Sequence, residues 1–271
     1  MKTRSGAGRM SCWTLRALAL GYVGLLVAGP AAIMIWRAFA GGVGPVWEAL
    51  TRPAALHALG LTLFIAAIAV PLNAVFGVLC ALALARRRFR GKALLNALVS
   101  LPLGVSPVVV GLALTIVYGR NGAIGGWFSE HGIRVIFSVP GMILATIFVS
   151  LPFVAREVAP ILHEIGLDQE QAATTLGASA WQTFRLVTLP AIRSGIVFGV
   201  VLTTARALGE YGAVSIVSGK LAGRTDTMTI YVEDRFLAFD LTGAYAASLV
   251  LALVALVTLV SMHRLRPDEG V

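Results

Sequence analysis

The chain has 271 residues, of which 58% are hydrophobic and 13% charged. Soluble domains carry about 25% charged residues, so an ordinary soluble globular protein is excluded and an integral membrane protein is expected. The formal net charge of +9 does not point to nucleic acid, because the basic residues stand at the borders of apolar runs, where they anchor a membrane protein.

Six apolar stretches reach or exceed the roughly 20 residues that a helix needs to cross a bilayer. They lie at about residues 17–36, 58–85, 94–118, 135–155, 191–217 and 241–262. The first follows Lys2, Arg4, Arg9 and Arg16. Its small residues Ala28-Gly29-Pro30-Ala31-Ala32 imitate a signal-peptide cleavage region, but the apolar run continues to Trp36, which predicts an uncleaved first span. The second leads into the basic run Arg86-Arg87-Arg88-Phe89-Arg90-Gly91-Lys92. Pro102 and Pro107 in the third and Pro152 in the fourth are expected to kink those spans or end them early. None of the runs alternates as barrel strands do. The expected fold is all-α, with six transmembrane helices.

Short loops as basic as 86–92 stay in the cytoplasm. Six spans then place the N-terminal segment 1–16, the tail 263–271 and the polar loop 168–190 on that same side. They place the loops 37–57, 119–134 and 218–240 outside. The six-span domain itself covers 17–262.

The chain lacks the G-x-x-x-x-G-K-[ST] phosphate loop: Gly91-Lys92 runs into Ala93, and Gly219-Lys220 into Leu221. Cys12, Cys80 and the scattered His57, His131, His163 and His263 form no ligand cluster. Neither a catalytic site nor a bound cofactor is expected in this chain, and any ATP is expected on a separate subunit.

The loop 168–190 reads DQEQAATTLGASAWQTFRLVTLP. Asp168 with Gln171 and Ser179 with Gln182 both have capping-box spacing, so each pair is expected to start a short helix. Gly177 between them permits a turn that other residues adopt at a cost, and Pro190 marks the end of the second helix or the entry to the next span. Trp181, Phe184 and Val187 follow at helical spacing. Such a hairpin can also be an ordinary loop packed on its own bundle. The spacing, however, resembles the EAA loop of bacterial ABC-importer permeases: Glu-Ala-Ala, a gap, Gly, nine residues, then aliphatic-any-Leu-Pro. Gln171 stands where the motif has its glutamate, with Glu170 one position earlier. The resemblance implies an ABC type I importer permease fold. It also implies docking of a cytoplasmic ATPase dimer through Glu170, Gln171, Ala172, Ala173, Gly177, Ala178, Leu189 and Pro190.

In the fifth span, Arg206 and Glu210 are four residues apart and share a helical face. Charges at membrane depth are costly and face a partner or a wet cavity, so the two are either a packing pair or neighbours of an anion's path. Gly195 and Gly199 have the small-x-x-x-small spacing of close helix packing. The stretch TTARALGEYGAVSIVSGKLAGRTDTM, from Thr203 to Met228, resembles permeases for tetrahedral oxyanions, most nearly the sulfate/thiosulfate W-type subunit. Leu101-Pro-Leu-Gly-Val-Ser106-Pro107-Val-Val-Val-Gly111 resembles the same group. The resemblance implies a second permease, a related but different chain, and an extracytoplasmic sulfate-binding protein, in a bacterial cytoplasmic (inner) membrane whose lipid surrounds the spans. Arg206, Glu210, Gly212, Ser215 and Ser218 are the candidates for the translocation path or gate.

Two other readings are weighed against this one. A molybdate/tungstate permease would act as two copies of one chain. A multi-span membrane enzyme would want clustered carboxylates; Glu233, Asp234 and Asp226 come nearest, but Lys220, Arg224 and Arg235 stand beside them, and a solvated loop is the simpler account of the group.

Overall fold

The computed structural model describes residues 7–265 and contains helices and no strand among them. Helix α1 (Ala7–Val23) passes through a π-helical turn (Gly24–Ala28) into α2 (Gly29–Phe39), and α3 (Val43–Thr51) leads to the long α4 (Pro53–Arg86). Then come α5 (Lys92–Gly104), α6 (Pro107–Tyr118), α7 (Gly125–Glu130) and α8 (Val139–Ile165). The loop that follows holds α9 (Asp168–Thr175), α10 (Ala180–Thr183), a second π-helical turn (Phe184–Thr188) and α11 (Leu189–Ala191). The chain closes with α12 (Arg193–Leu208), α13 (Gly212–Ser218), α14 (Met228–Leu237) and α15 (Leu241–Leu265).

Four stretches are long and apolar enough to span a bilayer: Trp13–Phe39, Pro53–Arg86, Val139–Ile165 and Leu241–Thr258. Two bent pairs bring the count to six: Lys92–Gly104 with Pro107–Tyr118, bent by 116°, and Ala180–Ala191 with Arg193–Leu208, bent by 67°. The all-α reading stands, and three of its spans differ from the expected bounds. The third is broken at Pro107, as expected of a proline there, while Pro102 stays inside α5. Pro107 has no N–H to carry α5 forward, and Ser106 before it is extended, with ψ 132°. The fifth breaks between Leu208 and Gly212 rather than running to residue 217. The fourth begins at Val139, later than expected, because the Phe137 N–H donates to the Val217 carbonyl at 2.7 Å and holds the chain out of helix. It runs on to Ile165 through Pro152 and Pro160.

At the centre α4, α8 and α12 converge on Val154, which is fully buried. A Cβ on Gly77 would lie 2.6 Å from the Val154 Cβ, and one on Gly199 would lie 2.7 Å from its Cα. Gly195 packs equally close on Glu157 and Ile161, so the expected close packing of Gly195 and Gly199 is present. In lipid, helices associate through such contacts and through interhelical hydrogen bonds rather than through hydrophobic exclusion. Asn73, 0% exposed, supplies one: its Nδ2 donates to the Ile147 carbonyl at 3.1 Å and to Ser150 Oγ at 2.9 Å. Gly199→Ala sets a methyl against backbone that cannot yield. It should cost about 1–3 kcal/mol, the usual penalty of overpacking, read as a lower melting temperature of the detergent-solubilised protein. A melting temperature equal to that of the parent would refute the contact.

Each end of α4 is pinned. At its start, Arg52 pairs with Asp240 at 2.5 Å, and Thr62 Oγ1 accepts the Met228 N–H at 2.8 Å. At its finish, Arg86 reaches the loop before α12. The basic run 86–92 and the loop 168–190 therefore share one end of the bundle, while α14 and the start of α15 occupy the other.

Candidate functional site

Within the loop at the Arg86 end, the two expected caps fare differently. Ser179 and Gln182 close a reciprocal capping box, with the Ser179 N–H donating to Gln182 Oε1 at 2.8 Å and the Gln182 N–H to Ser179 Oγ at 3.3 Å. Asp168 is not a cap. The helix starts one residue sooner, with Leu167 at the cap position, so Asp168 and Glu170 fall in the first turn, where carboxylates favour the helix dipole instead. Gly177 has φ +89°; its N–H donates to the Thr174 carbonyl, and that of Ala178 to the Ala173 carbonyl, both at 3.0 Å. These bonds close α9 and turn the chain into α10, making a compact knob. Leu176 at its tip is 90% exposed, with Trp181 and Leu186 exposed behind it.

The knob is fastened through Glu170. Its Oε1 accepts from Arg86 Nη2 at 3.0 Å, Arg86 Nε at 3.2 Å and Thr188 Oγ1 at 2.9 Å. Arg86 also donates to the Leu162 carbonyl at 2.7 Å, so one guanidinium ties α4 to α8 and α9. Glu170 thus faces inward, while Gln171 and Ala172 are exposed and Ala173, Ala178 and Leu189 half-buried; Pro190 is exposed. Between α4 and the knob lies an open groove of about 480 Å³, lined by Arg86, Arg87, Glu170, Thr174 and Phe184. The basic loop predicts Arg86 only as a membrane anchor; its role as the partner of Glu170 depends on a contact across 84 residues.

The second group surrounds the break after α12. Arg206 Nη1 lies 2.5 Å from Glu210 Oε2, and the Glu210 side chain is 2% exposed against 30% for Arg206. Glu210 Oε1 accepts the Ala213 N–H at 2.8 Å, satisfying a donor at the start of α13. Its backbone carbonyl accepts from Thr229 Oγ1 of α14 at 2.9 Å. A small cavity of about 10 Å³ beside Glu210 is lined by Thr62, Thr146, Val214 and Thr227, room for about one water. Gly212 lets α13 close on α6, since a Cβ there would stand 2.9 Å from the Pro107 Cβ. Ser215 Oγ donates to the Gly212 carbonyl in its own helix, at 3.0 Å. Ser218 lies apart, fully buried at the far end of α13, where its Oγ accepts the Lys220 N–H. The structure therefore pairs Arg206 with Glu210, places Gly212 and Ser215 next along the start of α13, and sets Ser218 at its far end.

Next to the break, Tyr211 Oη donates to Glu233 Oε1 at 2.5 Å, and Lys220 Nζ donates to Glu233 Oε2 at 2.5 Å. The hydrogen bond to Glu233 holds the Lys220 ammonium above its usual pKa, against desolvation. Burial pushes the Glu233 carboxyl up, but Lys220 and Tyr211 outweigh it and hold it below the usual range. Asp226 is not solvated as the loop reading expects. It is 3% exposed, with Oδ1 3.8 Å from His57 Nε2, because the end of the loop is drawn in where Thr225 Oγ1 donates to the Ser218 carbonyl at 2.7 Å and the Met228 N–H to Thr62 Oγ1 of α4.

Residues 73–269 match the family described as "binding-protein-dependent transport system inner membrane component". The chain is 51% identical over 258 residues to the sulfate transport system permease protein CysW of Synechocystis sp., covering 95% of this chain and 94% of that one. It is 39% identical over 224 residues to the sulfate transport system permease protein CysT of Escherichia coli (strain K12), covering 83% and 81%. Its fold matches a chain of a bacterial alginate ABC transporter in complex with an alginate pentasaccharide-bound periplasmic protein, with a TM-score of 0.79 at 20% identity, covering 99% of this chain and 100% of that one.

Proposed function

The chain belongs to the family of binding-protein-dependent transport system inner membrane components, and from that premise we propose that it is a W-type permease subunit of an ATP-driven importer of sulfate or thiosulfate. The observation that carries the substrate is the identity of 51% across nearly the full length of both chains with a protein named for sulfate transport. Two kinds of relative, W-type and T-type, favour a partner permease that is a different chain. An extracytoplasmic binding protein delivers the anion, and a dimeric ATPase on the other side supplies the energy.

The loop 168–190 is the ATPase dock. Its support is mechanical: the tip is exposed and apolar, while Glu170, Arg86 and Thr188 bind its base to α4, α8 and the entry to α12. A push on α9 is thus delivered to the helices that converge on Val154. Gln171, Ala172, Ala173, Gly177 and Ala178 meet the ATPase, and Glu170 acts as the fastener, with Leu189 and Pro190 forming the elbow into α12. In the bundle, Arg206, Glu210, Gly212 and Ser215 border the anion's route. Arg206 is neutralised by Glu210, as suits a passage that must release what it admits.

The test is uptake by vesicles carrying the assembled complex. It should require ATP and the binding protein, and thiosulfate should compete with sulfate. Uptake of molybdate that ignores an excess of sulfate would overturn the assignment. Sidedness is tested separately. With both termini and 86–92 cytoplasmic, a membrane-impermeant thiol reagent applied to intact cells should modify single cysteines placed at exposed positions of 218–240, such as Leu237 and Phe239, and none placed in 86–92. Modification of the basic loop from outside would overturn the orientation.

A further inference from the structure

Helix α14 has two working faces. Met228 and Tyr231 pack with Ala55 and Ala58 of α4 and Ala247 of α15 in one buried cluster. One turn apart on the other face, Thr229 and Glu233 hold consecutive residues of the break, the Glu210 carbonyl and the Tyr211 hydroxyl. Lys220, from the loop that leaves α13, closes on the same carboxylate and lies 5.6 Å from the centre of the Tyr211 ring. Helix α14 therefore straps the α4–α15 body to the α12–α13 break. Two donors from the break side, Lys220 Nζ and Tyr211 Oη, converge on the two oxygens of a single carboxylate.

That arrangement is what a tetrahedral oxyanion would ask for: one ammonium and one hydroxyl reaching neighbouring oxygens. The side chains of Lys220 and Glu233 are 38% and 27% exposed, so solutes reach them, whereas Glu210 below is closed off. We propose that Lys220 and Tyr211 form an outer receiving site for an oxyanion dianion, with Glu233 as its built-in competitor, and that arrival of the anion loosens α14 from the break by removing one of its two holds. The identity of the anion rests on the oxyanion reading above; the strap does not. Exchange of one carboxylate for one anion leaves the number of hydrogen bonds at Lys220 and Tyr211 unchanged, so the site opens without holding its guest tightly. Ion pairs this exposed contribute little each, which suits a strap that must part on every cycle.

The experiment uses the assembled transporter in membrane vesicles, with Cys12 and Cys80 replaced by serine and a single reporter, Thr146→Cys. Thr146 lines the small cavity beside Glu210, is 1% exposed and bonds only its own helix. Glu233→Gln or Lys220→Gln should raise the rate of thiol labelling from the outer side severalfold, and the exchange Lys220→Glu with Glu233→Lys should return it to the parent rate. In the parent, sulfate should raise the rate above that in chloride of equal ionic strength, and in Glu233→Gln the two salts should give the same rate. Unchanged labelling in both single variants would overturn the strap. Equal labelling by sulfate and chloride in the parent would overturn the receiving site. Because the first comparison contains no transported anion, a failure of sulfate uptake with the strap result intact would count against the substrate and not against the strap.

Discussion

Arg206→Met alone is expected to cost about 3–5 kcal/mol, because it leaves the Glu210 carboxylate unpaired in a site where its side chain is 2% exposed. Little assembled complex should reach the membrane. Glu210→Ala should be milder as a charge defect, since Arg206 is 30% exposed and can turn to water, but it also removes the acceptor of the Ala213 N–H. The informative combination is Arg206→Met with Glu210→Gln. It removes both charges and keeps an amide oxygen for Ala213, so assembly should recover to near the parent amount. Sulfate uptake per assembled complex then decides the role. Uptake that stays at least about tenfold down, a loss of roughly 1.4 kcal/mol of transition-state stabilisation, places Arg206 on the anion's route. Full uptake would make the pair structural alone.

Gly177→Val is expected to uncouple ATP hydrolysis from transport while leaving the protein in the membrane. A Cβ at Gly177 would meet nothing within 4 Å, so no clash opposes the change. The penalty comes from φ +89°, a conformation that costs a residue with a side chain about 1–3 kcal/mol, and most for a β-branched one. The chain can relieve that strain by altering the angle between α9 and α10, which moves the dock. Uptake should fall by about tenfold or more, on the scale set by that strain, with the membrane-bound amount unchanged. Gly177→Asn should be less damaging, because asparagine tolerates positive φ better. Normal uptake by the valine variant would remove this turn from the coupling apparatus.

Much of the fold was legible because bilayer physics writes itself into composition. A run such as 58–85 has to be a helix, and the glycines at 195 and 199 have to face something close. The ends of helices were less legible. Pro107 signalled a break that composition alone reads through, since the residues on both sides of it are equally apolar. The break after Leu208 left a fainter mark, the two glycines at 209 and 212 around a carboxylate. Ser179 capped as expected and Asp168 did not, because the spacing of a capping box does not fix which residue starts the helix. At the candidate site, the motif located the knob but not its fastening. That Glu170 holds Arg86, and that Glu233 gathers Tyr211 and Lys220, are contacts between distant segments. Local patterns cannot encode a partner that only the tertiary fold supplies. Asp226 shows the converse: it stands among basic neighbours in sequence and is buried in the structure.

Asn73 has a consequence for how the protein is made. Its Nδ2 donates to the Ile147 carbonyl and the Ser150 hydroxyl on α8, and Ser150 is synthesised 77 residues later. At about 5–20 residues per second, helix α4 waits roughly 4–15 seconds in or beside the insertion machinery with that amide unmatched. The nascent span cannot settle freely into lipid during this interval without burying a polar group at a cost. Biogenesis therefore favours holding α4 at the translocon until α8 emerges, so that the two leave as a pair and the side chain that later locks them together also sets the order in which the membrane receives them.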